Sequence, residues 1–495
     1  KKKEKRKKKK EKRKKKKEKR KKKKEKRKKK KEKRKNKKHQ RKKKKDKTKK
    51  KKDKGKKKQK EKRKKKNEKG KKKRETGKNK KEKREKKKKK EKRKKKKERR
   101  KKKQENRKKK TEKAKKTKEK TKTKQETRKT IRLTSSGLLK VLKEALRDLN
   151  ICSREWIIRQ YDHEVLGQTI IKPLQGNNIE VSGPGDAAVI FPYAVVKDTK
   201  KGIVLSNGLN PTYGKINAYK MASSVIEEAL RNAVCVGGNI EKLAVLDNFC
   251  WGNPNKPKIL GSLVSSANAC YDMSKAFGIP FISGKDSLHN EYSISGKKIS
   301  IPPVLLISAV GIIDNAANTI TMPFKSSGNK IYILGITRNE LGSSVFAKIK
   351  NIKNGIVPDV YPKESSPIMK SIYKAVNKGL IESCHDASEG GLAVSISEMS
   401  FASGYGVNIN IDSIKTDDNM SAAEILFSES NGRFIVEVEP KNENKFKKIF
   451  KGSNVREVGY VTDNDFVIFE SQKEKIKIKE KLINLLNAWR NTINW

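Results

Sequence analysis

Cysteine, histidine and aromatic residues are scarce in this 495-residue chain, which has five Cys, four His and only 6% Phe, Trp and Tyr. The cysteines, Cys152, Cys235, Cys250, Cys270 and Cys384, are odd in number, widely scattered and without a CxxC pair. That pattern argues against a disulfide framework and against a structural zinc site. Long hydrophobic runs are missing too. No stretch reaches the roughly 18 to 20 apolar residues that span a bilayer, and no apolar signal segment follows the charged amino terminus. The expected setting is therefore soluble and cytoplasmic, with no membrane partner. The most extreme shortage lies in residues 1–130, where Ala114 alone comes from the AVILMFWYC set. Such a segment cannot bury enough apolar surface to offset the entropy of ordering, and it is expected to be disordered.

What that segment does contain is positive charge. Residues 1–130 hold 91 Lys and Arg against 18 Asp and Glu, a balance of +73, which leaves +7 of the chain's +80 for residues 131–495. Glu4, Glu11, Glu18, Glu25 and Glu32 recur every seven positions, each followed by Lys-Arg. A heptad without apolar a and d positions has no coiled-coil seam, and like charges at i,i+4 oppose a helix. Two readings stand for this tract: a low-complexity extension, or an arm that binds nucleic acid through phosphate neutralisation. Without aromatic residues for base stacking, such binding would be nonspecific and salt-sensitive.

Residues 131–495 are roughly 43% hydrophobic, an ordinary globular value. Leu138, Leu139, Leu142, Ala145, Leu146 and Leu149 fall at helical spacing, and a second helical stretch is expected over 153–161, so 131–166 reads as linker helices. Beyond Pro173, short apolar runs (AAVIF, GIVLS, KLAVLDNF, PFISG, PPVLLISAVGII) alternate with helical segments at 218–236 and 261–277. The fold class is α/β with mixed sheets. An Asn-, Ser- and Gly-rich break at 316–329 divides two α/β domains, 167–325 and 326–495.

Several oxygen-bearing residues lie where a metal-nucleotide site would need them. Asp186, in GPGDAAVI, stands at a strand entrance. Glu228 and Asn232, four apart in a helix, share a face and can hold one hard cation, although a solvated helix face is the plain alternative. In PFISGKDSL a strand runs into Gly284, after which Lys285, Asp286 and Ser287 offer an ammonium, a carboxylate and a hydroxyl at a turn. This is not a Walker A loop, because Gly278 is one residue too distant and Asp286 replaces the Ser or Thr. Asp247, in LAVLDNFCWGNP, ends an apolar strand. His385 and Asp386, in SCHDASEGGLAV, precede a glycine-rich helix entrance whose amides can approach an anion. His163 reads as structural.

Taken together and in order, RQYDHEVLGQTIIKPL, EEALRNAVCVGG, LDNFCWGNP, SGKDSLHNEY, HDASEGGLAVSISEM and LFSESNGRF resemble the synthetase subunit of phosphoribosylformylglycinamidine synthase, of purine biosynthesis. The resemblance covers about residues 138–470. It implies the two-domain unit of the aminoimidazole ribonucleotide synthetase-like superfamily, whose first domain pairs through its sheet with a like domain. It further implies a carbon–nitrogen ligase that uses ATP and Mg²⁺ to convert formylglycinamide ribonucleotide to formylglycinamidine ribonucleotide. Carried over by motif, Asp186, Glu228, Asn232 and Asp286 resemble Mg²⁺ ligands, Asp247, Gly284 and Lys285 nucleotide contacts, and Ser287 a substrate contact. Some relatives carry a metal-binding Asn at the position of Lys285.

The resemblance is to the second half of a duplicated synthetase, and the histidine-rich string of the first half has no counterpart here. A half-synthetase incomplete alone is expected, partnered by a first-half synthetase chain or a second copy, and by a glutaminase subunit that supplies ammonia. No catalytic residue is assigned. A non-catalytic Mg-nucleotide-binding module and a polyanion-binding protein remain as alternative functions.

Overall fold

The computed structural model describes residues 130–493, apart from 178, 179, 194, 197 and 354. The expected disordered tract and its nucleic-acid arm lie, except for Thr130, outside the described residues. The globular chain opens with helix α1 (Ser135–Leu146), whose first turn is capped by Thr134 accepting from the Gly137 amide. Its Leu138, Val141, Leu142, Ala145 and Leu146 are buried at three- and four-residue spacing. The second expected helix shrinks to Glu155–Ile158, which has no side-chain cap and buries none of its residues.

The chain then lays down β1 (Thr169–Ile171), a hairpin of β2 (Leu174–Gly176) and β3 (Ser182–Pro184), and strands β4 (Ala188–Ile190), β5 (Gly202–Gly208), β6 (Leu243–Cys250) and β7 (Phe281–Ser287). A second hairpin, β8 (Glu291–Ile294) and β9 (Lys297–Ser300), leads into β10 (Val304–Ile313). Six of these form one sheet in the order β1-β4-β5-β10-β6-β7. Among neighbouring strands of this sheet only β6 and β7 pair in parallel, and a helical crossover joins them. Helices α2 (Ala218–Cys235) and α3 (Pro257–Phe277) cover one face. At Gly208 that cover is so close that a β-carbon would collide with the Val225 carbonyl of α2.

The second sheet comprises β11 (Lys330–Leu334), β12 (Ser383–Asp386), β13 (Gly406–Asn410), β14 (Phe434–Val438), β15 (Val455–Thr462), β16 (Phe466–Ser471) and β17 (Ile476–Lys481). Its order is β12-β14-β11-β15-β13-β16-β17. Strand β14 is buried at every position, so both faces are covered. Ile331, Ile333 and Ile435 join α1 and the buried helix that follows β12 in one apolar cluster. Tyr332, Leu334, Phe434 and Val436 face the other way, into a cluster shared with α2 and with α4 (Pro362–Val376). Helix α5 (Gly391–Ser403) is buried around its whole circumference, and α6 (Leu482–Arg490) closes the fold. The shared cluster brings α2 of the first sheet against β12 of the second, and the Cys235 and Cys384 sulfurs lie 3.7 Å apart there. Among the described residues no helix is long and apolar enough to cross a membrane.

Candidate functional site

Two groups of polar side chains lie beside the first sheet, and the expected site residues divide between them. The first forms where the β3–β4 connection and α2 meet β12. Asp186, its side chain fully buried, accepts from His385 Nδ1 at 2.8 Å and from the Asp386 amide at 3.0 Å, both at Oδ1. Its Oδ2 is buried with no partner among the described residues. His385 Nε2 lies 3.2 Å from Glu398 Oε2 of α5. Because both partners are carboxylates, both ring nitrogens donate. Burial opposes the charge on this ring, but Asp186 and then Glu398 outweigh it and hold the imidazole pKa well above its usual value.

Asp386, beside that ring, meets Arg231 Nε at 3.3 Å, and Arg231 also binds Glu227 at 2.7 Å. Glu228 accepts from the Leu209 amide at 3.0 Å. Its pKa is raised well above the carboxylate range by burial and by the neighbouring Glu389 and Asp386. Asn232 donates to the Asn207 carbonyl at 3.0 Å and leaves its own buried Oδ1 without a partner. Asp186, His385 and Asp386 thus converge, with their polar side-chain atoms within 4.8 Å of one another, and the Asp386 charge reaches Glu228, from which Asn232 is one helical turn along α2.

The second group lies on the outer strands. Across the parallel pair, Asp247 faces Gly284, Asn248 faces Lys285, Phe249 faces Asp286 and Cys250 faces Ser287. Asp247 takes a hydrogen bond from the Lys285 amide, while burial and the Asp286 carboxylate raise its pKa. The strand continues through Ser287, where the sequence suggested a turn after Gly284. Pairing with β6 extends it, and its edge position accounts for the polar composition. Gly208, Ile307, Asp247 and Gly284 are register partners across four neighbouring strands. The two groups therefore stand at one level of the sheet, with two strand intervals, about 10 Å, between Gly208 and Asp247.

Asp286 is not where the expected ligand set puts it. Three strand intervals, about 14 Å, separate β7 from β5, beside which Glu228 sits. Asp286 neighbours Asp247, and the carboxylate that joins Asp186 and Glu228 is Asp386. The glycine-rich helix entrance also differs from the anion site expected of it, because the Gly390 amide is already bonded to Glu429 Oε1 at 2.9 Å. Glu429 further accepts from the Val345 amide at 2.9 Å and from the Tyr213 hydroxyl at 2.7 Å. Glu389, which the sequence reading left without a role, accepts from Asn210 at 3.2 Å. Its pKa is pushed up to about 8 by burial and by Glu429, so it is mostly protonated at neutral pH. Both acids border a cavity of about 500 Å³ with Asn210, Thr212, Lys215 and Ser343. The signal for them is the Ser-Glu pair in each of HDASEGG and LFSESNGRF.

Two mixed sheets joined by a shared core, with carboxylates of both converging where they meet, define a two-part α/β protein. The chain belongs to the AIR synthase related family: the N-terminal domain of that family matches residues 184–313 and its C-terminal domain residues 326–470, together more than half of the chain. It is 34% identical over 337 residues to the phosphoribosylformylglycinamidine synthase subunit PurL of Thermococcus sibiricus, covering 68% of this chain and 44% of that one. The subunit of the same name from Methanocaldococcus jannaschii is 33% identical over 350 residues, 70% of this chain and 44% of the relative. The chain thus spans less than half the length of these relatives. Thermotoga maritima PurL, solved as its complex with FGAR, shares the fold with a TM-score of 0.54 at 16% identity, over 71% of this chain and 54% of that one.

Proposed function

We propose that the chain acts in purine biosynthesis, in the cytoplasm, as part of a ligase that converts formylglycinamide ribonucleotide to formylglycinamidine ribonucleotide with ATP, and that its acidic cluster holds a Mg-nucleotide. The domains proposed for it are 167–325 and 326–495, preceded by linker helices at 131–166. In the overall reaction the glycinamide carbonyl oxygen takes the γ-phosphoryl group of ATP and ADP leaves, ammonia attacks the carbon that bears that oxygen, and phosphate departs with it to give the amidine, the formyl group being unchanged. The observation that carries the metal reading is the pair of buried, unpartnered oxygens, Asp186 Oδ2 and Asn232 Oδ1, beside Glu228 and Asp386. Buried polar atoms are rarely left unpaired, and hard oxygen donors suit Mg²⁺. Mg²⁺ bound there would neutralise phosphate charge.

This chain's residues bind and orient. Asp186, Glu228, Asn232 and Asp386 are the proposed metal ligands, while Asp247, Gly284 and the Lys285 amide shape the nucleotide contact and Asp286 and Ser287 border it. The Lys285 side chain is a cation and does not ligate the metal. A first-half synthetase chain or a second copy is the proposed partner for the first sheet, with a glutaminase subunit as the ammonia source. The exposed Leu205 and Ile312, on the sheet face away from α2, support a covered surface there.

Calorimetry of Mg-ADP binding tests the cluster. Asp186→Asn and Asp386→Asn are expected to weaken binding by at least about tenfold. Unchanged affinity in both removes the cluster from the site. Turnover assays with formylglycinamide ribonucleotide, ATP, Mg²⁺ and ammonium, with and without a first-half partner, test the reaction. No turnover under either condition overturns the ligase reading.

A further inference from the structure

We infer that His385 is a positioning residue, which sets the Asp186 carboxylate so that one of its oxygens remains free for a cation. This rests on the metal role proposed for Asp186. Two donors converge on the same oxygen: His385 Nδ1 at 2.8 Å and the Asp386 amide at 3.0 Å both reach Oδ1. A carboxylate pinned at one oxygen by two donors from different directions cannot rotate about its Cβ–Cγ bond without breaking one of them. Its second oxygen, Oδ2, is then held in a fixed direction, buried and unpartnered.

The imidazole is itself immobilised. Nε2 is tied to Glu398 Oε2 at 3.2 Å, and Glu398 projects from α5, which is buried along its whole length. The ring therefore spans from α5 to the β3–β4 connection, 199 residues away in sequence from His385 at Asp186. Were the pair only a structural ion contact, both carboxylate oxygens would be expected to find donors, since a bare buried oxygen is costly. Instead all the hydrogen bonding is gathered on one side of the carboxylate. Carboxylates that ligate metals are likewise held by hydrogen bonds from groups outside the coordination sphere.

The test uses the full chain and compares ADP affinity by calorimetry in Mg²⁺ and in EDTA, the ratio of the two being the metal coupling. Electron paramagnetic resonance counts Mn²⁺ bound in the ADP complex as a second readout. His385→Leu, similar in size and without a donor, is expected to lower the coupling by about tenfold or more, with metal-free ADP affinity unchanged. His385→Asn, whose amide nitrogen takes the place of Nδ1, is expected to keep most of it. Asp186→Asn probes the underlying reading and is expected to abolish the coupling. If Asp186→Asn loses coupling while His385→Leu retains it, the positioning role is overturned and the metal site stands. If Asp186→Asn retains coupling, the metal site itself is overturned. Should His385→Leu fail to fold, His385→Asn decides alone: a folded Asn variant that has lost its coupling overturns the inference.

Discussion

Asp247 and Gly284 face each other across the parallel β6–β7 pair, and a β-carbon on Gly284 would lie 2.8 Å from the Asp247 carboxyl carbon. The glycine is thus what allows the Asp247 carboxylate to lie flat over the neighbouring strand and take the Lys285 amide. Its backbone conformation is not left-handed, so alanine brings no φ penalty, only displacement of the carboxylate. Gly284→Ala is expected to weaken Mg-ADP binding about tenfold, equivalent to about 1.4 kcal/mol, with an unchanged melting temperature. Wild-type affinity in that variant would remove the Asp247–Gly284 pair from the nucleotide contact.

Stability should fall as pH rises from about 5 to 8. Glu389, raised to about 8 by burial and by Glu429, binds its proton more tightly folded than unfolded. Its contribution is therefore fully present below the unfolded carboxyl pKa and is lost as pH climbs through the folded value. Glu228, Glu227 and Glu429 are shifted in the same direction, burial being the leading cause in each. Thermal melts between pH 5 and 8 would show the decline, and Glu389→Gln, a mimic of the neutral acid, should flatten it. A wild-type melting temperature constant over that range contradicts a protonated Glu389.

Much of this architecture is readable in the sequence, because contiguous apolar runs such as KLAVLDNF and PPVLLISAVGII map onto β6 and β10. The i,i+4 pair Glu228 and Asn232 is equally local, and both residues do lie along α2. Asp386 was harder to place. It reaches Asp186 through a contact 200 residues apart in sequence, which depends on packing β12 against the first sheet's elements. No period or spacing encodes that, whereas Asp286 stands in the expected ligand set through the family resemblance. Helical spacing likewise suggests a longer helix than Glu155–Ile158, none of whose residues is buried.

Thiol chemistry offers a check on the packing between the sheets. Cys152, Cys235 and Cys384 are buried, and Cys250 and Cys270 are partly accessible. Burial pushes the Cys270 thiol up to about 12, which leaves little thiolate at neutral pH. A disulfide reagent should therefore titrate one fast thiol, Cys250, in the native protein and all five in guanidinium. Peptide mapping that found Cys235 or Cys384 labelled at the fast rate would show that α2 and β12 do not seal one another.

Arg231 is the cation on which the buried acids depend. It is 1% exposed, touches both Glu227 and Asp386, and gains its raised pKa from those carboxylates against the opposing effect of burial. Replacing it with Met keeps the bulk and removes the guanidinium that Glu227 and Asp386 share. Breaking a buried pair from one side costs about 3–5 kcal/mol, whereas removing both partners is far milder. Denaturant titration should accordingly show a large loss for Arg231→Met and a partial recovery in Arg231→Met combined with Glu227→Met, since the second change eliminates one stranded acid. The recovery should stay incomplete because Asp386 remains. Equal stabilities of the single and double variants would mean that Glu227 is neutral in the folded protein and that Asp386 alone holds the guanidinium.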